Sequence, residues 1–205
     1  MHDEVLTAKA KTLFPLLSRF KEFHLVGGTA LALQIGHRIS VDFDLFTGQQ
    51  LSPRLLMKVK RVFSKFSFEQ TYHAPEQLNL IIDGVHATFF SYPYPVIDPF
   101  VEYRDVSLAS IREIAAMKAF AIGKRLAYKD YVDWFFMLHD GHVFLKEVMM
   151  HAEKKYGHDF NDRLFLGQLV SLQDIPTDTI DFTGEGVSRE TIQTFLENIV
   201  RNFDF

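Results

Sequence analysis

In the first half of the chain, the spacing of apolar residues alternates between a helical period and a strand period. Apolar residues between positions 3 and 20 recur at helical spacing, although Pro15 is expected to interrupt that helix. A short, mainly apolar run ends at Gly27 and Gly28, which is typical of a buried strand that closes on a tight turn. Thr29 is expected to cap the helix that follows. The predicted elements are a helix over residues 3–20, a strand over 23–26, a helix over 30–36, a strand over 40–46 and a helix over 51–63.

Alternation of apolar and polar residues then predicts three more strands. Asp83 and Gly84 favour a two-residue hairpin turn between the second and the third of them. Three prolines in the next ten residues predict a loop, and a short edge strand is expected over residues 106–108. The three strands are predicted over residues 66–73, 78–82 and 85–91.

From residue 110 onward the pattern is helical with short breaks. A polar stretch with one proline and two glycines, residues 174–186, predicts a loop before the last helix. The predicted fold is therefore α/β (α+β), with a small mixed sheet and flanking helices over residues 1–108 and a helical region over residues 109–205. The helices are predicted over residues 110–126, 130–140, 142–156, 161–172 and 188–203.

Composition excludes several kinds of chemistry. The 205 residues carry a net charge of −4, so no strong overall field attracts the chain to nucleic acid or to a membrane. The chain has no cysteine, which excludes disulfides, thiolate metal sites and cysteine nucleophiles. The acidic start does not suit a secretory signal, and the apolar stretches are too short to span a bilayer. A cytoplasmic location without membrane association is expected.

Asp42 and Asp44 are the first candidate site residues. Side chains alternate between the two faces of a strand, so both carboxylates are expected on one face and Val41, Phe43 and Leu45 on the other. Their Cα atoms would be about 6.5–7 Å apart, close enough to share one hard cation or a close metal pair. A solvated strand face is the alternative when this pair is considered alone.

Residues that suit phosphate surround this pair in the sequence. Gly27 and Gly28 precede a helix, where backbone N–H groups and the positive end of the helix dipole favour anions. Arg38 and Ser40 stand just before the aspartates and can donate to phosphate oxygens. Considered alone, the glycines could simply form a turn, and Arg38 could be an ordinary surface residue.

A second polar segment lies on the predicted helices of the C-terminal half. Lys118 and Arg125 are seven residues apart and are expected to share a helix face. Asp130 and Asp133 are three apart and are expected to share another. The segment could form an electropositive wall around a triphosphate, or a solvated edge on which Lys129 pairs with Asp133.

Together these two segments resemble the AbiEii/AbiGii toxin family, the nucleotidyltransferase half of type IV toxin–antitoxin systems. The first segment is Gly27-Gly28-Thr29 followed by Arg38-x-Ser40-x-Asp42-x-Asp44. The second contains Lys118 and Arg125, and then Lys129-Asp130-x-x-Asp133. The resemblance covers roughly residues 20–140 and implies a nucleotidyltransferase-type fold with a cleft between the two halves.

The resemblance also implies an activity, which is transfer of a nucleotidyl group from a nucleoside triphosphate to a hydroxyl of RNA (tRNA) or protein. Asp42 and Asp44 would hold Mg²⁺ or Mn²⁺, and Lys118 and Asp130 would act with them as catalytic residues across the cleft. A cognate antitoxin protein is an expected partner. The remaining nucleotide-binding residues would be Gly27, Gly28, Thr29, Arg38, Ser40, Arg125 and Lys129.

One feature departs from the pattern of this superfamily. Many nucleotidyltransferases carry a third carboxylate on a later strand, and the matching strand here, residues 85–90, has no Asp or Glu. The resemblance implies Asp130, on a helix, as the replacement. The gap also motivates two alternatives: a catalytically weak nucleotide-binding module that acts through a protein partner, and a housekeeping transferase with no toxin role.

Overall fold

The computed structural model describes residues 1–122, 124 and 127–203. The chain divides into two compact units, Met1–Ser110 and Ile111–Phe205. The first unit is built on a sheet and the second is helical, so the fold is the mixed α/β class that the sequence predicts.

The first unit contains one seven-stranded mixed sheet in the order β3-β4-β5-β2-β1-β7-β6. The central strand β2 pairs antiparallel with β1 and parallel with β5. Three helices accompany the sheet, namely α1 (Ala8–Leu13), α2 (Gly27–Ile35) and α3 (Leu55–Val62). The strands are β1 (His24–Val26), β2 (Phe43–Thr47), β3 (Phe68–Ala74), β4 (Gln77–Ile82), β5 (Val85–Ser91), β6 (Val101–Tyr103) and β7 (Val106–Leu108).

Phenylalanine rings from the N-terminal segment cover one face of the sheet. The ring of Phe14 lies 6.2 Å from that of Phe43 on β2, and Phe20 lies 5.1 Å from Phe89 on β5, between centroids. All four side chains are almost completely buried. Burial of rings of this size is a major source of stability, which accounts for part of the high phenylalanine content.

The N-terminal helix differs from the prediction over residues 3–20. A 3₁₀ helix (Asp3–Val5) precedes α1, and a second 3₁₀ helix (Phe14–Arg19) follows it. Pro15 stands in the first turn of that second segment, where its missing N–H does no harm. The interruption at Pro15 is therefore confirmed, and a second interruption, between Val5 and Ala8, was not predicted.

The sheet contains two hairpins whose two-residue turns have positive φ values, and only the one with a glycine in its turn was predicted. Asp83 and Gly84 form the predicted two-residue turn between β4 and β5, with φ values of 51° and 85°. Arg104 and Asp105 form a second such turn, between β6 and β7, with φ values of 50° and 62°. This turn lacks glycine, so β6 was not predicted. The strand Val106–Leu108 consequently lies inside the sheet, between β1 and β6, and is not an edge.

The described residues of the second unit contain five α-helices, two of which begin at a side-chain cap. Asn161 accepts a hydrogen bond from Leu164 N at the start of α7, and the Ser188 hydroxyl accepts one from Thr191 N at the start of α8. Trp134 is fully buried, 5.2 Å from the ring of Phe165. The helices are α4 (Ile111–Ala121), α5 (Tyr128–His139), α6 (Leu145–Tyr156), α7 (Asp162–Leu169) and α8 (Arg189–Arg201).

Across the described part of the chain, every helix is too short or too polar to cross a lipid bilayer.

Candidate functional site

Asp44 lies on the side of β2 that is not packed into the core, and Asp42 lies one residue before the strand. Along this segment Phe43, Leu45 and Thr47 are buried, whereas Asp42 and Asp44 are only partly covered. Strand β2 begins at Phe43, so Asp42 stands immediately before it. Val41 therefore does not share the buried face as predicted, and its side chain is 43% exposed.

Gly27 brings the start of helix α2 against Asp44. Val26 pairs with Asp44 across β1 and β2, so the helix begins beside the carboxylate. Gly27 has a φ of +72°, in the region that side chains disfavour. A Cβ atom at this position would lie 2.5 Å from Asp44 Oδ2. Glycine is therefore required both by the backbone conformation and by the closeness of the carboxylate.

Gly28 makes a similar close approach to Arg38. A Cβ atom on Gly28 would lie 2.5 Å from Arg38 Nη2 and 3.4 Å from Ser40 Oγ. The Arg38 side chain is buried, and its Nη1 donates to the carbonyl of Ile39 at 3.1 Å. A guanidinium held in this way presents fixed donors beside the helix start, which suits an anion with several oxygen acceptors.

Thr29 connects the helix to the segment that carries the aspartates. Its hydroxyl lies 2.8 Å from Ser40 Oγ and donates to the carbonyl of Asp42 at 2.5 Å. Helix α2 begins at Gly27, with Val26 in the capping position. The predicted capping role of Thr29 is therefore wrong, because its hydroxyl is used to position Ser40 and Asp42.

The strand next to Asp44 carries Thr88 at the matching position. Strands β2 and β5 are parallel, and Asp44 pairs with Thr88 in their register. Among the described residues, no group of three or more His, Asp or Glu side chains is arranged to hold a metal ion. Two carboxylates still fit Mg²⁺, which is commonly bound by one or two protein carboxylates together with water and substrate phosphates.

A second polar cluster lies within the helical unit, between α4 and α5. Lys118 Nζ is 2.7 Å from Asp130 Oδ1 and 2.7 Å from Asp133 Oδ2. The side chains of Lys118, Asp130 and Asp133 are 5%, 4% and 0% exposed. The predicted shared face of Asp130 and Asp133 is confirmed, and the alternative of a solvated edge is wrong, because both carboxylates are buried. Burial of two carboxylates requires an opposite charge between them, which Lys118 supplies.

The structure places the predicted residues in both units. The cluster in the first unit, which we call the β2–α2 cluster, consists of Gly27, Gly28, Thr29, Arg38, Ser40, Asp42 and Asp44. Lys118 and Asp130 belong to the buried cluster of the second unit, and Lys129 is partly exposed on α5. Arg125 lies outside the described residues, and α4 ends at Ala121, earlier than predicted. Asp133 was not assigned to a site, although its spacing from Asp130 was the available signal.

Comparison with solved structures defines the class of fold. A crystal structure described as a candidate nucleotidyltransferase from H. pylori matches with a TM-score of 0.63 and 16% identity, covering 95% of this chain and 94% of that one. JHP933 from Helicobacter pylori matches with a TM-score of 0.52 and 15% identity, over 94% and 95% of the two chains. The fold is therefore of the nucleotidyltransferase type, as predicted.

Comparison at the level of sequence gives the family. The model of the family described as "Nucleotidyl transferase AbiEii toxin, Type IV TA system" matches residues 12–94, which include the whole β2–α2 cluster. The chain is also 34% identical, over 157 residues, to the uncharacterised protein aq_aa25 of Aquifex aeolicus (strain VF5), covering 75% of each. The chain belongs to the AbiEii nucleotidyltransferase toxin family, which confirms the resemblance stated above.

Proposed function

We propose that this chain transfers a nucleotidyl group from a nucleoside triphosphate to an acceptor hydroxyl, and that the β2–α2 cluster holds the triphosphate. The observation that carries the proposal is the convergence of Gly27, Gly28, Arg38 and Ser40 beside Asp44. Donors for phosphate and carboxylates for a cation meet there around one helix start, within a family of nucleotidyltransferases.

Within this proposal, each group of the cluster has a physical task. The two glycines leave room for phosphate oxygens to approach the backbone N–H groups of α2. Arg38 donates from a guanidinium that is buried and held by Ile39, so little rotamer freedom is lost on binding. The Ser40 hydroxyl donates to Thr29, whose own proton is used on the carbonyl of Asp42, so Ser40 would donate to a phosphate oxygen only after its proton turns away from Thr29.

Asp42 and Asp44 are the residues that would hold Mg²⁺ or Mn²⁺. The bound cation supplies neutralisation of the charge that develops as pyrophosphate leaves. The carboxylates also exclude a bare triphosphate, because like charges at this range repel, so we expect nucleotide and cation to bind together.

Lys118 and Asp130 remain predicted catalytic residues. The 2.7 Å ion pair between them favours an orienting role for Asp130 over that of a base. A carboxylate already bonded to a buried ammonium is a poor proton acceptor, because the ammonium stabilises its charged form.

The acceptor and the partner are also proposals. RNA, with tRNA as the example, and a protein hydroxyl both remain candidate acceptors. A nucleic-acid acceptor would need a local basic surface, and the cations of α3 and its flank are the candidates, namely Lys58, Lys60, Arg61 and Lys65. Lys58 is paired with Glu22 at 2.8 Å, which reduces the net charge of that surface. Family membership supports an antitoxin partner and a toxin role.

The second candidate function is a nucleotide-binding module of weak or absent activity that acts through a protein partner. The observation that favours it is Thr88, which stands in register with Asp44 on the strand where many nucleotidyltransferases carry a third carboxylate. Binding of nucleotide without turnover on any acceptor would favour this module over the transferase.

The test combines Asp42→Asn with labelled nucleotide. Added Mg²⁺ and nucleoside triphosphate should raise the melting temperature of the wild-type protein but not that of the variant, because only a ligand of the native state stabilises it. The apo variant should melt no lower than wild type, because the substitution relieves the repulsion between the carboxylates of Asp42 and Asp44 and retains the backbone carbonyl that accepts from Thr29. Asp105→Asn, at the β6–β7 turn, is the matched control.

Incubation with labelled nucleoside triphosphates, total cell RNA and total cell protein then identifies the acceptor. Label should enter one of these pools with wild-type protein and with Asp105→Asn, and not with Asp42→Asn. A loss of several kcal/mol in apo stability for Asp42→Asn would assign that carboxylate to structural hydrogen bonding. In that case the cation site at this strand is wrong.

A further inference from the structure

Four aromatic side chains form a continuous row beside the β2–α2 cluster, and we call this row the aromatic strip. Its members are Phe46, Phe90, Tyr92 and Tyr94. The ring centroid of Phe46 lies 5.2 Å from that of Phe90 and 5.2 Å from that of Tyr92. Tyr92 in turn lies 5.4 Å from Tyr94.

The strip lies on the same face of the sheet as Asp44. Phe46 follows Asp44 by two residues on β2, so the two side chains project from one face, about 6.5–7 Å apart along the strand. Phe46 pairs with Phe90 across β2 and β5, next to the pair formed by Asp44 and Thr88. A hydrogen bond of 2.8 Å from Tyr92 N to the carbonyl of Thr47 extends this pairing and fixes Tyr92 beside Phe46.

Core formation does not account for the strip. The phenylalanines of the core, such as Phe43 and Phe89, lie on the opposite face of the same strands and are almost completely buried. All four strip residues remain partly exposed to solvent. Partly exposed aromatic rings in a row offer π-faces on which a planar base can stack.

We propose that the aromatic strip binds the base of the nucleoside triphosphate. The inference rests on the proposed function, which puts the phosphates at the start of α2 and the cation at Asp42 and Asp44. The strip begins at Phe46, one side chain beyond Asp44 on the same strand face, so it adjoins the proposed phosphate and cation site directly. Continuity with the phosphate site favours the triphosphate's own base over an unpaired base of an acceptor strand.

Stacking on these rings also sets the expected selectivity. Every base has a π-face, so the strip accepts all four bases and favours those with the larger ring surface. We therefore expect purine nucleotides to bind modestly tighter than pyrimidine nucleotides.

The test compares a ligand that has a base with one that lacks it. GTP and inorganic tripolyphosphate are titrated, each with Mg²⁺, into wild-type protein, Phe46→Leu, Tyr92→Leu and the control Tyr72→Leu. Tyr72 is an exposed tyrosine on β3 and is not a member of the strip. Wild type and the control should bind GTP about tenfold tighter than tripolyphosphate. In Phe46→Leu and in Tyr92→Leu the affinity for GTP should fall close to that for tripolyphosphate, while the affinity for tripolyphosphate stays unchanged.

The outcomes separate this inference from the proposed function. If wild-type protein binds neither ligand, the triphosphate site itself is wrong. If wild type binds both ligands equally, or if both strip variants keep the full ratio, the strip does not bind the base of the triphosphate. A second titration uses a short unstructured oligoribonucleotide. If that affinity falls in Phe46→Leu and Tyr92→Leu while the GTP ratio stays intact, the strip holds an acceptor base, and the proposal as stated is overturned.

Discussion

Asp44 and Thr88 stand side by side on two parallel strands of the sheet, β2 and β5. Directly paired positions project their side chains from the same face, at a separation of roughly 5 Å. The threonine therefore occupies the position from which a third carboxylate would reach the cation that we propose for Asp42 and Asp44. The third carboxylate that many nucleotidyltransferases carry is absent from β5, and substitution of Thr88 can test the effect of restoring it.

We expect Thr88→Asp to strengthen cation binding and to destabilise the apo protein. A third carboxylate adds ligand charge for a hard cation, but without one it adds repulsion beside Asp44. The melting temperature should fall in a chelating buffer and recover with millimolar Mg²⁺. Thr71→Asp is the control, because Thr71 is exposed on the edge strand β3, which does not adjoin β2. If Mg²⁺ changes the melting temperature of both variants equally, Thr88 does not lie next to a cation site.

The two glycines at the start of α2 should respond differently to alanine. Gly27→Ala forces a side chain into a left-handed conformation, which costs about 1–2 kcal/mol, and into contact with Asp44. Gly28→Ala favours the helix by roughly 1 kcal/mol but displaces the end of Arg38. We expect the first to lower both stability and nucleotide affinity, and the second to lower affinity alone.

Thermal melting with and without Mg²⁺ and nucleoside triphosphate measures both effects. Gly48→Ala is the matched control, since a Cβ atom there would meet nothing within 4 Å. Unchanged nucleotide affinity in Gly28→Ala would place Arg38 and Ser40 outside the phosphate site.

Loss of the Lys118 ammonium should strongly destabilise the protein. Lys118→Met leaves Asp130 and Asp133 buried without the cation between them, which we expect to cost about 3–5 kcal/mol in the free energy of unfolding. Asp133→Asn should cost less, because a Lys118–Asp130 pair of balanced charge remains. Urea denaturation gives both values, with Lys146→Met on the exposed face of α6 as the control. A loss below about 1 kcal/mol for Lys118→Met would mean that the cluster contributes little to stability.

Tyr131 should make stability fall at alkaline pH. Burial raises the pKa of its phenol to about 12, with further contributions from the nearby charges of Asp130 and Asp174. In the unfolded chain the pKa is near 10, so stability is complete below pH 10 and is lost as the pH rises toward 12, by up to about 2–3 kcal/mol. Tyr131→Phe loses the hydrogen bond to the carbonyl of Gln168 at every pH. Its free energy of unfolding should nevertheless change less between pH 10 and pH 12 than that of the wild-type protein. Parallel urea titrations at pH 8, 10 and 11 compare the two proteins; identical slopes would exclude Tyr131 as the source.

Features set by short stretches of sequence could be predicted. Strand β5 has the predicted bounds, Val85–Ser91, because its alternation and its Asp83-Gly84 turn are both local signals. Features that depend on distant pairing could not. The position of Thr88 next to Asp44 follows from strand order, and the aromatic strip follows from the same pairing of β2 with β5. The burial of Lys118 follows from the packing of α5 against α4, which periodicity in either helix does not reveal.

Two local signals were misleading for a physical reason. Paired glycines usually end an element, yet Gly27 and Gly28 open helix α2, because a positive φ at Gly27 turns the chain directly from strand to helix. Arg104 and Asp105 adopt positive φ without glycine, which sequence patterns rarely anticipate. The sequence therefore predicts which residues gather at the start of α2, but not the geometry of that helix start.

Helix α2 begins at the residue that follows β1, so the junction contains no connecting loop. An inserted residue at this point would rotate the helix by about 100° relative to the strand. Thr29 would then turn away from Ser40, and Gly28 away from Arg38. We expect this junction to tolerate no change in length during evolution or engineering, whereas the polar stretch 174–186 in the helical unit can vary in length as surface loops do.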